Sequence, residues 1–147
     1  MLCFFACAGG FGIMKGWGAW HLYAQVDWVN MRLAEWCASY PNTQFRFVPG
    51  NHDLFAKQPG LLSEVRLPGN AKLLIDEEDE VDGVRIYASP WVPTINGCWA
   101  FEERHEGQLR AAFDAIPQGV DILLTHTPPR IPHRKVDVSI DRNSPHF

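Results

Sequence analysis

Residues 45–53 read FRFVPGNHD, and within this stretch the chain changes from apolar to polar. Its first half is typical of a buried strand, and Gly50 permits a sharp exit with the backbone close to a ligand. Asn51 offers a carbonyl oxygen to a metal ion, and His52 offers an imidazole, the usual acid and base near neutral pH. Asp53 is expected to accept a hydrogen bond from that imidazole. The alternative is an ordinary turn, which Asn and Asp favour in any case.

On both sides of this stretch, apolar segments alternate with turn residues. Helical periodicity predicts helices at Trp20–Tyr40 and Glu103–Ala115, with a short helical or irregular piece at Leu61–Val65. The apolar runs predict strands at Leu2–Ala8, Gln44–Val48, Lys72–Asp76, Val84–Ala88 and Val120–Leu124. Because strands alternate with helices, the sequence predicts a layered α/β fold.

Residues 76–80 read DEEDE and raise the question of a cation site. The flanks favour another interpretation, because Asp82 and Gly83 separate two strand-like runs and predict a two-residue hairpin turn. A solvated, charged strand at a sheet edge explains the acidic residues better, since charge there prevents pairing with other chains.

Several irregular segments that carry polar, flexible or aromatic residues directly follow predicted strands. These are Gly9-Gly10, Asn51-His52, Ser89-Pro90-Trp91 and His126. Ligands of open α/β sheets bind beyond the carboxyl ends of the strands. We therefore expect these segments to converge on one edge, with Asn51, Ser89 and His126 in one cleft. Trp91 and Trp99 provide either a hydrophobic wall for a nucleobase or ordinary core packing.

Length and composition restrict the class of protein. The chain of 147 residues fits a single domain, 1–147, and is 46% apolar. The formal net charge is −4 with 13 scattered Lys and Arg residues, which predicts no nucleic-acid-binding patch. No apolar run reaches the length of a membrane span. Four cysteines without a Cys-x-x-Cys pair favour buried, reduced thiols and a cytoplasmic location.

The motifs resemble a known family when they are taken together and in order. VPGNHD at 48–53, IYASPW at 86–91, WAF at 99–101 and LLTHTPP at 123–129 are similar to the metallophosphoesterase domain-containing branch of the calcineurin-like phosphoesterases. The likeness runs from about Ala8 to the C-terminus. It implies an α/β/β/α sandwich with two divalent ions (Mn, Fe, Zn or Mg) at the strand ends and hydrolysis of a small phosphate ester, most readily a nucleotide phosphodiester.

The resemblance also assigns roles to individual residues. Asn51 and His126 match ligands of the second metal, while His52 matches the residue that contacts the scissile phosphate and protonates the leaving group. Asp53 supports His52 as the other catalytic candidate, and Trp91 and Trp99 are the candidate substrate-binding residues. Two metal ions and a bridging water suit in-line displacement at phosphorus.

Three departures from the family pattern change the expectation for this chain. The family's Asp-x-His is missing before Gly9, Gly10 stands where the metal-bridging Asp belongs, and no Gly-His-x-His is present. His133 and His146 lack the context of that last motif. Two neutral ligands hold divalent ions poorly, so one weakly bound ion or none is expected. The alternatives are an enzyme, a non-catalytic protein-binding module, and a fragment whose open edge at Leu2–Phe5 promotes self-association.

Overall fold

The computed structural model describes residues 2–7, 20–105 and 107–128. Its first sheet contains β1 (Leu2–Cys7), β2 (Gln44–Pro49) and β3 (Ala71–Leu73), all parallel and in that order. Helix α1 (Trp20–Ser39) lies between β1 and β2 in the chain, as a parallel connection requires. A 3₁₀ turn at Leu54–Lys57 and a short helix α2 (Pro59–Leu62) precede β3.

The second sheet contains β4 (Glu77–Val81), β5 (Val84–Ser89) and β6 (Ile122–Thr125). Strand β4 runs antiparallel to β5, and β5 runs parallel to β6. The predicted hairpin turn is confirmed, with φ of 53° at Asp82 and 81° at Gly83. Positive φ at both central residues is the mark of the turn whose twist suits a hairpin.

Alternation along β2 places three layers against one another. Phe45 and Phe47 pack on Leu33 and Cys37 of α1. Val48 points the other way and joins a core shared with the second sheet, whose buried members are Val48, Leu74, Val81, Ile86 and Ala88. The described residues therefore stack a helix, a sheet and a second sheet, and the predicted α/β fold is confirmed.

The two sheets are also joined by salt bridges between charged side chains. Arg46 of β2 is buried and pairs with Asp79 of β4, while Lys72 Nζ lies 3.2 Å from Asp79 Oδ1 and 2.8 Å from Glu77 Oε1. Burial alone would raise the pKa of Asp79, but the hydrogen bonds from Arg46 and Lys72 outweigh it and lower that pKa. Among the described residues, the acidic strand lies at the edge of its sheet, as predicted. The prediction that its acidic side chains are solvated is wrong for Asp79, whose side chain is 16% exposed.

Several boundaries differ from the prediction. The helix expected from Glu103 is shorter, because α3 spans only Gln108–Asp114 and Gly107 before it has a φ of 82°. Strand β3 ends at Leu73 rather than at Asp76, whose φ is 49°. A left-handed residue interrupts a regular helix or strand, so neither element extends through these two positions. The expectation of buried thiols holds for Cys37 and is wrong for Cys98, which is exposed.

Within the described ranges, every helix is too short or too polar to cross a lipid bilayer.

Candidate metal and phosphate site

The GNHD residues form a tight turn directly after β2. The Asp53 N–H donates to Gly50 O at 3.1 Å, which closes a four-residue turn. In return, the Gly50 N–H donates to Asp53 Oδ2 at 2.6 Å. Asn51 and His52 are therefore the two central residues of a turn that two hydrogen bonds between Gly50 and Asp53 close. The turn interpretation and the site interpretation are compatible, because this turn presents both side chains.

The structure brings Asn51 and His126 into direct contact. Asn51 Oδ1 lies 3.0 Å from His126 Nε2, although the residues are 75 positions apart in the chain. His126 follows β6 directly, and its N–H donates to Ser89 O at 3.2 Å at the end of β5. Burial, and then the nearby His52, lower the pKa of His126. A lowered pKa favours the neutral imidazole, the form that binds a metal ion.

His52 is held by its backbone and by one aromatic neighbour. Its ring centroid lies 4.3 Å from that of Trp99. Its carbonyl oxygen accepts a hydrogen bond of 3.0 Å from Gln25 Nε2 of α1, and Gln25 is only 7% exposed. His52 Nδ1 is buried without a hydrogen-bond partner, as is His126 Nδ1. Buried polar atoms without a hydrogen-bond partner are rare, so these two imidazole nitrogens point to a role beyond packing.

The prediction that Asp53 accepts a hydrogen bond from the His52 imidazole is wrong. Asp53 Oδ2 accepts from the Gly50 N–H instead, and Asp53 is 6% exposed. Burial raises the pKa of Asp53 to about 6, and the bond from Gly50 offsets only part of that rise. Asp53 thus organises the turn that presents His52, and it does not fix the imidazole itself.

Asp76 holds the segment that follows β5. Its Oδ1 accepts from Ser89 Oγ at 2.9 Å, and its Oδ2 accepts from Trp91 Nε1 at 2.6 Å. Ser89 is fully buried, and its carbonyl accepts from the His126 backbone. Asp76 therefore holds the Trp91 side chain by a hydrogen bond, and it also holds Ser89, to which the His126 backbone is bonded.

The segment carrying Trp99 is organised by one carboxylate. Glu102 is 2% exposed, and its Oε1 accepts from the N–H groups of Ile95 at 2.7 Å and Asn96 at 2.8 Å. Its Oε2 accepts from the Trp99 N–H at 2.9 Å. Burial opposes ionisation, but the N–H groups outweigh it and lower the pKa of Glu102. The Ala100 N–H then donates to Asn51 O at 2.9 Å, which joins this segment to the GNHD turn.

The predicted convergence is thus observed for Asn51, Ser89 and His126. Trp99 lies against His52, whereas Trp91 packs edge-on against Phe101 with centroids 6.2 Å apart. The segment Gly9-Gly10 and the residues His133 and His146 lie outside the described residues. The sequence analysis missed Gln25, Asp76 and Glu102 because each acts through a hydrogen bond to a distant segment. The one available signal was a polar side chain within or beside an apolar run.

Comparison with known proteins gives relatives that share part of this chain. No family model matches it. Metallophosphoesterase domain-containing protein 1 of Homo sapiens is 33% identical over 120 residues, which cover 67% of this chain and 36% of that protein. UPF0046 protein T07D4.2 of Caenorhabditis elegans is 44% identical over 70 residues, which cover 48% of this chain and 17% of that protein. The chain belongs to the metallophosphoesterase family.

The chain spans about a third of the length of the human relative, at 36%, and less of the nematode one, at 17%. Metallophosphoesterases use divalent metal ions, so the residues present can be tested against such an ion. Two adjacent ligands about 2.1 Å from one octahedral ion lie about 3 Å apart, and Asn51 Oδ1 and His126 Nε2 are 3.0 Å apart. Among the described residues, no group of three or more His, Cys, Asp or Glu completes a metal site. The two residues fit part of one coordination shell.

Proposed function

We propose that this metallophosphoesterase acts as a phosphodiesterase on small nucleotides, on the four-layer α/β/β/α sandwich of the calcineurin-like enzymes. The observation that carries the proposal is the 3.0 Å contact between Asn51 and His126, with His52 in the same turn as Asn51. Asn51 and His126 would hold one divalent ion. Such an ion supplies Lewis-acid neutralisation of phosphoryl oxygens and an activated water.

His52 has the role of a proton donor and phosphate contact in this proposal. Its backbone is fixed by the turn hydrogen bonds and by Gln25, and its ring is fixed against Trp99. A preorganised imidazole can donate a proton to the leaving oxygen, a contribution of about 10²- to 10⁴-fold in rate. Asp53 contributes by holding the turn through Gly50.

Trp99 is the better of the two aromatic candidates for a substrate wall. Its ring already lies against His52, so an aromatic leaving group beside His52 would meet an apolar surface. Trp91 is committed to Asp76 through its indole N–H and lies against Phe101. In this proposal, Trp99 contacts the nucleoside, and Trp91 supports the rim of the site.

Metal binding provides the first test. We expect weak Mn²⁺ binding by the unmodified chain, measured by electron paramagnetic resonance. Asn51→Ala and His126→Ala each remove one ligand and should weaken that binding by at least tenfold, in line with the cost of losing a metal ligand's support. His105→Ala is the matched control, because His105 is exposed. Equal Mn²⁺ binding by the control and by His126→Ala would place the ion elsewhere.

Hydrolysis of bis-p-nitrophenyl phosphate provides the second test. With two neutral ligands and no bridging carboxylate among the described residues, turnover by this chain should be small and Mn²⁺-dependent. His52→Ala should abolish that turnover while leaving Mn²⁺ binding unchanged, because His52 is not assigned to the ion. Turnover that persists in His52→Ala would refute its role. Mn²⁺ binding without any turnover would instead favour the non-catalytic module.

A further inference from the structure

Lys57 is held on an aromatic surface next to the candidate site. It ends the 3₁₀ turn that follows the GNHD turn. Its Nζ lies 4.4 Å from the centroid of the Trp91 ring and 4.8 Å from that of Phe101. A cation within about 6 Å of an aromatic face is attracted to it, and here two faces act on one ammonium group.

This aromatic surface is rigid. Trp91 is fixed by its indole hydrogen bond of 2.6 Å to Asp76 Oδ2. Phe101 is 3% exposed, has a φ of 55°, and its carbonyl accepts from the Val92 N–H at 3.0 Å. A non-glycine residue in the left-handed region is uncommon and persists only where its surroundings hold it. The aromatic surface under Lys57 is therefore held in place by its own contacts.

A second cation lies near Lys57. Burial, and then the charge of Arg104, lower the pKa of Lys57, while the charge of Asp76 acts in the opposite direction. Among the described residues, neither Lys57 nor Arg104 forms an ion pair. Both oxygens of Asp76 already accept hydrogen bonds from Ser89 and Trp91. The donors of the Lys57 ammonium therefore remain available for an anion.

The same short segment reaches both Lys57 and His52. Trp99 contacts His52, and Phe101, which contacts Lys57, is two residues further on. Two residues span at most about 7 Å of chain, so the two contacts lie close together. We propose that Lys57, on its aromatic surface, forms an anion subsite that binds a phosphoryl group of the substrate other than the one hydrolysed, and that the charge of Arg104 supports it. Its assignment to the substrate rests on the proposed function, whereas the binding of phosphate itself does not.

Phosphate binding without metal tests the subsite directly. The probe is inorganic phosphate, titrated at constant ionic strength into the metal-free chain. The readout is the ¹H–¹⁵N signal of the Trp91 indole, assigned with Trp91→Phe. Lys57→Met keeps the aliphatic stem on the rings and removes the charge, and it should weaken phosphate binding by about tenfold or more, the value of one charged hydrogen bond. Arg104→Met should weaken phosphate binding in the same direction but less, because Arg104 acts through its charge.

Arg110→Met is the matched control. Arg110 is 81% exposed in α3 and pairs with Asp114 at 2.8 Å, so its loss changes the net charge equally without touching the rings. We expect its phosphate affinity to stay within twofold of the unmodified chain. Equal weakening by Arg110→Met would show a general charge effect and overturn the subsite. An unchanged affinity in Lys57→Met, or no saturable binding by the unmodified chain, would overturn it as well.

A substrate comparison separates this inference from the proposed function. Lys57→Met should raise KM for a nucleotide diester that carries an additional phosphate and leave KM unchanged for the diester without it. Saturable phosphate binding that depends on Lys57, in a chain without turnover, would refute only the proposed function. Turnover with equal KM changes for both substrates would refute only the assignment of the subsite to the substrate.

Discussion

Replacing Glu102 by Gln tests how the candidate site is held together. The substitution keeps the shape of the side chain but exchanges one carboxylate oxygen for an NH₂ group. Glu102 Oε1 accepts two N–H groups and Oε2 accepts one, so the least costly orientation keeps the remaining oxygen at Oε1. The new NH₂ group then faces the Trp99 N–H, and two donors oppose each other in a buried place.

The expected loss follows from the hydrogen bonds. One buried N–H left without an acceptor costs about 1–3 kcal/mol, and the other two bonds each lose the extra strength that a charged acceptor provides. We therefore expect Glu102→Gln to lower the free energy of unfolding by about 2–4 kcal/mol at neutral pH. Because the Trp99 N–H is the group released, the contact between Trp99 and His52 should loosen as well.

Urea denaturation followed by tryptophan fluorescence measures this loss, and its pH dependence tests the cause. The folded pKa of Glu102 lies below its ordinary value of 4.5, so the carboxylate stabilises the fold fully above pH 4.5. That stabilisation is lost as the pH falls through the folded pKa. The difference between the unmodified chain and Glu102→Gln should therefore shrink with increasing acidity below pH 4.5.

Glu80→Gln is the matched control, since Glu80 is exposed on β4 and should change stability by no more than about 0.5 kcal/mol. A Glu102→Gln protein as stable as this control at neutral pH would refute the account. A stability difference that stayed constant below pH 4.5 would show that the charge of Glu102 is not its source.

Three further perturbations test other parts of the structure. Asp53→Asn should stabilise the metal-free chain by about 1–3 kcal/mol above pH 6, because the raised pKa makes ionisation of Asp53 costly, and the gain should fade towards pH 4, as urea denaturation would show. An equal gain at every pH would contradict this. Arg46→Met should lower the free energy of unfolding by about 3 kcal/mol, because it removes the buried partner of the Asp79 carboxylate. Lys72→Met removes a more exposed partner of Asp79 and should lower it by under about 1 kcal/mol. Equal losses in urea denaturation would refute the difference in burial. The apparent mass in light scattering should rise with concentration if the β1 edge at Leu2–Phe5 self-associates, and a constant monomer mass would exclude it.

The sequence by itself determined the order of the main elements and the convergence of Asn51 and His126. The run 45–53 ends a buried strand in a turn, and the hairpin at Asp82-Gly83 follows from residues that accept positive φ. Both depend on short-range sterics, which neighbouring residues decide. The convergence of Asn51 and His126 followed from a geometric rule, because the carboxyl ends of strands gather the loops that bind ligands.

The tertiary structure alone decided which groups hold the site in place. The partner of Asp53 is the Gly50 N–H and not His52, although both lie within three residues of it. Gln25 reaches His52 across 27 residues, and Arg46 reaches Asp79 across 33. A hydrogen bond depends on distances and angles of tenths of an ångström and tens of degrees, and the packing of distant elements sets these. A sequence pattern places a side chain on a face, but only the packed structure decides which buried donor it meets.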